Sequence, residues 1–358
     1  MSGNIYALSH RIAIFREDVR KRADRRPQYR TECKRSLDST SAWYPARESD
    51  EIEHTNLVMT KLLALSEEET EKGNAAFRRD DLVQPFLKWA GGKRELAPII
   101  RRYVPRKFKL YFEPFVGAGA VLFDLQPSSA LVNDVNGELI NCYNVIKNAP
   151  RKLIADLQTH LKTKRYFYKL RSLDREEGFG RLSKVKRASR IIYLNKTCYN
   201  GLFRVNSQGH FNVPYGNYAN PLIVDEVVIG AVSRYLNGAD VEISNDDFEN
   251  ALSGARRGDF VYLDPPYDPL SDTSSFTGYN LNSFGREEQT RLKDVCDDLT
   301  RRGCKVLLSN SATPFIRGLY ADKRRYTVVE VDASRKINAI ATARGKIREL
   351  LIFNNYEV

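Results

Sequence analysis

From residue 85 onward the apolar positions fall into two alternating rhythms. Short continuous runs of large and β-branched residues stop at glycine, proline or an acid, and stretches with apolar residues three and four apart follow them. "LYFEPFVGAGAVLFDL" (110–125) predicts a strand, a glycine turn and a helix; "ALVNDVNGELINCYNVIKNAP" predicts a second strand ending near Asn133 and a helix after Gly137 that stops before Pro150. Two successive strand–turn–helix units imply an α/β protein with a doubly wound, mostly parallel sheet. Phe260, Val261, Tyr262 and Leu263 read as a buried strand bounded by Gly258 and Pro265. In "REEQTRLKDVCDDLTRRG" Leu292, Val295, Cys296 and Leu299 share one helical face, Gly303 ends the helix, and the strand "KVLLSN" (305–310) follows.

The first 84 residues break this pattern. Residues 11–35 are arginine-rich, residues 38–71 are acidic, and only "LVMTKLLAL" shows apolar periodicity. They are expected to form a charge-segregated, disordered extension with one helix around Asn56 to Leu65, or, as the functional alternative, a basic arm that touches DNA. Between residues 137 and 236 the chain turns basic and aromatic, with 11 Lys/Arg against 3 Asp/Glu in residues 162–190. That stretch reads as an inserted domain with a solvated or nucleic-acid-facing surface, which divides the chain into an extension (1–84), a core (85–136 and 237–358) and the insertion (137–236).

Charge sharpens the division. Residues 1–84 hold 15 Lys/Arg and 15 Asp/Glu, so the whole formal excess of +12 belongs to residues 85–358. Such an excess favours a polyanionic partner. At 358 residues the chain has room for two folded units. No apolar run approaches the roughly 18 residues of a membrane span, and the N-terminus lacks a signal-peptide core, so a cytoplasmic protein is expected. Cys33, Cys142, Cys198, Cys296 and Cys304 include no Cys-x-x-Cys and stand apart from any histidine cluster. Reduced, structural thiols and no metal site are expected.

Five segments carry candidate chemistry. Asp264 stands where the strand 260–263 stops, which in an open α/β sheet is the ligand-binding edge, and Pro265 and Pro266 stiffen the path to Tyr267. An acid that merely opens a proline turn is the bland alternative. Gly117 and Gly119 occupy a strand-to-helix turn, but Leu122 replaces the third glycine of a dinucleotide fingerprint, so a purely structural turn fits equally. Asp134, at the end of the next strand, is placed to accept from a ribose diol. Adenosine without a pyrophosphate suits this combination. In "PFLKWAGGKREL" the Gly91-Gly92 pair can present Lys93 to a carboxylate while Trp89 packs on a flat or cationic ligand, or Trp89 is simply core. "IIYLNKTCYNGLFRVNSQGHFNVPYGNY" (191–218) has the composition of a base-reading loop, with Arg204 for guanine, Asn200 for adenine and Tyr199 or Tyr218 for stacking, or that of an ordinary hairpin.

From Pro85 to Phe353 the chain resembles the Dam family of adenine-specific DNA methyltransferases. "FLKWAGGK", "EPFVGAG", "NDVN", "YNGLFRVNSQGHFNVPYGNY", "DPPYDPLS" and "FTGYNLNSF" appear in the family's order. The resemblance implies a Rossmann-like methyltransferase fold with an inserted, mainly helical DNA-recognition domain carrying a β-hairpin. It implies S-adenosylmethionine as methyl donor, no metal, and double-stranded DNA as partner; a monomer is compatible with it. Asp264 and the Pro265 carbonyl would accept from the amine of a flipped adenine on which Tyr267 stacks. Trp89, Lys93, Phe115, Gly117, Gly119, Asp134, Asp247, Phe248 and Asp264 would line the cofactor site, with Lys93 on the methionine carboxylate. Lys88, Leu202, Arg204, Pro214 and Tyr218 match positions that read GATC, and Tyr199 and Asn200 match positions near the flipped base. The stretch 332–350 follows the family loosely. Competing readings are an RNA or protein-amide methyltransferase, a catalytically silent DNA binder and a nicotinamide dehydrogenase; the intact motifs and the incomplete phosphate fingerprint disfavour them.

Overall fold

The structure is a computed structural model that describes residues 79–89, 91–270, 284–334 and 346–358. The extension up to residue 78, with its expected helix, the "FTGYNLNSF" segment before Phe284, and residues 335–345 lie outside the described residues.

Seven strands, β1 (Tyr111–Glu113), β2 (Ser129–Asn133), β3 (Asp240–Ser244), β4 (Phe260–Leu263), β5 (Lys305–Ser311), β6 (Thr327–Ser334) and β7 (Lys346–Phe353), form one sheet in the order β3-β2-β1-β4-β5-β7-β6. The pairs β2–β3, β1–β2, β1–β4 and β4–β5 are parallel, and β7 runs antiparallel between β5 and β6. The doubly wound α/β fold expected from the sequence is therefore present. Strand order reverses between β1 and β4, which makes the crevice beyond their carboxyl ends the topological switch point where ligands bind in such sheets.

All four residues of β4 are buried, because helices cover both faces of a parallel sheet. Side chains alternate across it: Phe260 and Tyr262 join one hydrophobic core, Val261 and Leu263 the other. The helices are α1 (Ala97–Ile100), α2 (Ala120–Leu125), α3 (Gly137–Asn148), α4 (Pro150–Gln158), α5 (Lys164–Ser172), α6 (Lys184–Thr197), α7 (Glu226–Gly238), α8 (Phe248–Ala251), α9 (Arg286–Arg301) and α10 (Pro314–Leu319). Asn136 starts α3 by accepting from the Leu139 amide at 3.0 Å, and Pro150 opens the next helix. The predicted face of α9, Leu292, Val295, Cys296 and Leu299, is buried.

Five helices, α3 to α7, lie between β2 and β3 in the chain. Their buried residues, among them Tyr143, Phe167, Tyr193 and Tyr235, belong to the same core as Phe260 and Tyr262. The insertion thus grows out of one face of the sheet. After α6 the chain forms a short ribbon with antiparallel bridges Val205↔Phe211 and Cys198↔Tyr215, closed where the Asn206 amide donates to the His210 carbonyl at 2.9 Å. Residues 191–197 of the expected hairpin segment are the end of α6. Among the described residues no helix is long and apolar enough to cross a membrane.

Candidate active site and nucleic-acid interface

Four strand ends meet at the carboxyl edge. After β1 the chain turns through Gly117 (φ 49°) and Gly119 (φ 74°), a backbone that L side chains resist. A Cβ on Gly119 would lie 2.6 Å from the Tyr143 hydroxyl, and one on Gly117 3.1 Å from Trp89. Glycine is needed here for close packing of protein on protein. Asp134, just past β2, accepts from the Gly117 amide at 3.1 Å and the Asn136 amide at 2.9 Å; burial nevertheless pushes its carboxyl up to about 6. Buried Asn133 ties this edge to the loop after β3, donating to the Asp246 carbonyl at 2.9 Å and to the Pro114 carbonyl at 3.1 Å. Asp247 then caps α8 through the Glu249 amide and pairs with Arg291 at 2.6 Å, while Phe248 packs on Phe115 with ring centroids 5.4 Å apart.

Asp264 is the charged centre of the edge. Its Oδ1 receives Lys93 Nζ at 2.7 Å and the Ser309 hydroxyl at 3.0 Å. Lys93 is 4% exposed, donates also to the Gly91 carbonyl at 2.7 Å, and lies 4.6 Å from the centroid of the Tyr267 ring, within cation–π range. The Tyr267 hydroxyl donates to Glu349 Oε2 at 2.7 Å. Pro265 is buried; the Pro266 carbonyl accepts from Gln289 at 2.8 Å and the Asp268 amide donates to Asn310 at 3.2 Å, so the turn after β4 is fixed on both sides. Burial raises the Asp264 carboxyl, and Lys93 and Ser309 oppose that rise. Behind it, Glu113 accepts from the Tyr111 hydroxyl at 2.8 Å; burial, against that hydrogen bond, pushes its carboxyl up to about 8.

The first motif reaches across to the ribbon. Trp89 stacks on Phe203 at 4.7 Å with 21° between the rings, and Lys88 Nζ lies 5.8 Å from the centroid of Tyr218. The Lys88 amide donates to Asn195 Oδ1 at 3.0 Å, and Asn195 Nδ2 donates to the carbonyls of Lys88 (2.8 Å) and Gly201 (2.9 Å). One buried asparagine of α6 thereby joins three segments. Asn200 (φ 55°) and Gly201 (φ 65°) make the turn, whose inner side is filled by the Lys88 stem. The Tyr199 amide donates to the Pro214 carbonyl at 2.9 Å, and Leu202 is half-buried. Tyr199 (49% exposed), Tyr218 (36%) and exposed Arg204 face water, Arg204 Nε donating to Asn212 at 2.7 Å.

Part of the basic stretch 162–190 faces inward. Arg190, buried, pairs with Asp174 at 2.8 Å; Asp174 accepts from the Phe211 amide at 2.7 Å; Arg171 and Arg175 donate to the Val213 and Phe211 carbonyls. These arginines support the ribbon from behind.

All the sequence-predicted site residues therefore fall into two sets, one around Asp264 and Asp134 and one along the ribbon, bridged by Lys88 and Trp89. The sequence reading missed Ser309, Glu349, Glu113, Asn133 and Asn195. Polar residues closing an apolar run, as Ser309 and Asn133 do, and an asparagine inside an otherwise apolar helical stretch, as Asn195 is, were the available signals.

Residues 89–337 match the model of the D12 class N6 adenine-specific DNA methyltransferases. The chain is similar to Type II methyltransferase M1.LlaDCHI of Lactococcus lactis subsp. cremoris, 46% identical over 274 residues, covering 76% of this chain and 95% of that protein. Type II methyltransferase M.MjaIII of Methanocaldococcus jannaschii is 41% identical over 292 residues (76% and 99%), and the DNA adenine methylase of Escherichia coli K12 is 35% identical over 273 residues (74% and 93%).

Proposed function

The chain belongs to the D12 class of N6 adenine-specific DNA methyltransferases, and from that membership we propose that it takes the methyl group from S-adenosylmethionine and places it on a flipped adenine within GATC. The observation that carries the reading is the state of Asp264. Lys93 and Ser309 both occupy Oδ1, so Oδ2 is the oxygen left to accept from a base amine.

The residues present fit the donor. Asp134 offers carboxylate lone pairs beyond the two amides it already takes, and Phe115 and Phe248 offer aromatic side chains. Lys93, whose Nζ lies on Asp264 and the Gly91 carbonyl, is the cation proposed to meet the methionine carboxylate. When bound, S-adenosylmethionine supplies a methyl carbon made electrophilic by the adjoining sulfonium.

The protein's part is to hold and sharpen the acceptor. An adenine amine is a weak nucleophile because its lone pair is delocalised into the ring. Asp264 Oδ2 and the Pro265 carbonyl, accepting its two N–H groups, turn that lone pair toward the methyl carbon, and the proline pair keeps both acceptors still. Tyr267, its hydroxyl anchored on Glu349, gives the extrahelical base a fixed stacking face that offsets part of the few kcal/mol spent on unstacking. Lys88, Leu202, Arg204, Pro214 and Tyr218 read the sequence, with Tyr199 and Asn200 beside the vacated position. The core (85–136 and 237–358) carries the chemistry and the insertion (137–236) carries recognition.

The test is transfer from radiolabelled S-adenosylmethionine to two duplexes that differ only by one scrambled GATC. Label on adenine of the GATC duplex alone is expected. Label on both overturns the sequence assignment, and label on neither, with label on RNA or on a protein amide, overturns the substrate.

A further inference from the structure

We propose that Ser309 is a positioning residue for methyl transfer: its hydroxyl, itself set by Tyr262, holds Asp264 by one oxygen so that the other faces the substrate amine. The inference rests on the reading of Asp264 as the amine's acceptor.

Proton bookkeeping fixes the direction of the relay. Ser309 is fully buried within β5, with its Oγ 3.0 Å from Asp264 Oδ1, 3.0 Å from the Tyr262 hydroxyl and 3.5 Å from the Leu263 carbonyl. A serine has one proton to give. The Tyr267 hydroxyl also borders Ser309, but the charged acceptor at 3.0 Å outcompetes both that neutral hydroxyl and a carbonyl at the limit of hydrogen bonding, so Ser309 donates to Asp264. Ser309 Oγ is then an acceptor toward Tyr262, whose hydroxyl must donate. Tyr262 is itself fully buried, two residues before Asp264 on β4, and its ionisation is pushed well above the ordinary value by burial and by Asp264, so it stays a donor.

The two donors on Oδ1 do different work. Lys93 comes from the loop before α1 and divides its Nζ between Asp264 and the Gly91 carbonyl, whereas Ser309 sits on β5, paired in register with β4, Leu308 opposite Leu263. Lys93 supplies charge and Ser309 supplies direction. Without the serine proton the carboxylate can rotate about its Cβ–Cγ bond and presents no fixed oxygen to the base.

The carboxylate must also be ionised to accept. Lys93, Glu113, Tyr262, Tyr267 and, through Tyr267, Glu349 are the titratable groups around it. Lys93 and Ser309 are the two that favour its charged form, against burial. Removing Ser309 therefore shifts Asp264 toward the protonated form at a given pH; Glu113, raised to about 8 by burial and further by the Asp264 charge, is coupled to it.

The measurement is the single-turnover transfer rate against pH for Ser309→Ala, Ser309→Thr and Tyr262→Phe, on a duplex that the native protein methylates, with Asp264→Asn alongside. Ser309→Ala is expected to lower the rate at saturating DNA about tenfold or more, the worth of a hydrogen bond to a charged group, with the acid limb moved to higher pH and DNA affinity unchanged. Ser309→Thr, which keeps the hydroxyl, restores both; Tyr262→Phe moves both in the same direction by less. An unchanged rate and limb in Ser309→Ala, or a lower rate with the limb in place, overturns the proposal. Full activity in Asp264→Asn would instead remove the reading beneath it, so the two failures are separable.

Discussion

At the carboxyl edge Lys93 and Ser309 are tied to Asp264, and with Glu113 behind them they are each no more than 4% exposed. Along the ribbon most side chains proposed to read bases are exposed, and the ribbon backbone is held by Asn195, Arg171, Arg175 and Asp174, the last paired with Arg190. On the proposed function, the difference follows from what each region would do before DNA arrives. A carboxylate that takes hold of an amine works best when its position and charge are set in advance, because reorganisation during the reaction adds to the barrier. A loop that reads a duplex must leave its donors free until the bases come. Rigid side chains on rigid strands serve the first purpose, and free side chains on a rigid backbone serve the second.

The strongest way to break that comparison is Asp264→Asn. If the edge works by preset acceptors, the amide loses the charge that pairs with Lys93 and presents a donor where an acceptor is needed, and transfer should fall by about 10²–10³ or more with DNA binding retained. Steady-state and single-turnover assays, with binding measured separately, check it. A variant that loses DNA binding equally would show that the edge and the ribbon are not separate in function.

A second test concerns the cost of the buried edge. Glu113 has its folded carboxyl raised to about 8 from 4.5, so the folded state keeps a proton that the unfolded state has released across that window. Its contribution to stability is complete below pH 4.5 and is lost as pH rises toward 8, at up to about 1.4 kcal/mol per pH unit. Glu113→Gln should remove this fall, so that its denaturation midpoint exceeds the native protein's most at pH 8 and least near pH 5. Parallel pH dependences for the two would place the titration elsewhere.

How much of this was legible beforehand depends on the kind of order each region uses. The sheet was readable because β4 is a four-residue apolar run and α9 has a single apolar face, and both patterns survive folding unchanged. Asp264, Asp134 and the glycine turn were readable because they close such runs. Ser309 and Glu349 were not, because they meet Asp264 and Tyr267 through pairings of strands 45 and 82 residues away. No local pattern records such a distance. Arg171, Arg175 and Arg190 read as part of a solvated or DNA-facing surface, since sequence gives a charge without its partner; Asp174 and the ribbon carbonyls were visible only in three dimensions.

Asn195 joins the two regions, which makes it the third test. Asn195→Leu keeps the volume and leaves the Lys88 amide and the Lys88 and Gly201 carbonyls without this partner. A loss of about 1–3 kcal/mol of stability is expected, with a raised KM for DNA and a smaller change in rate at saturation. A rate loss with unchanged KM would assign the clamp to the chemical edge instead.

The smallest effect, and the one that most sharpens the contrast, is Arg204→Ala. Arg204 is exposed and gives only its Nε to Asn212, so the two terminal nitrogens of its guanidinium are available for the paired acceptors on a guanine edge. Its removal should leave stability within about 0.5 kcal/mol, as for most surface changes, and cost about 1–3 kcal/mol of discrimination at one base pair of the site. Rates on a set of duplexes with each position of GATC varied in turn separate the cases. Loss confined to a guanine position makes Arg204 a reader held ready by Asn212. Uniform loss on every duplex, with a shallower salt dependence, makes it a phosphate contact, and selectivity would then rest on Leu202, Pro214 and Tyr218 of the ribbon together with Lys88.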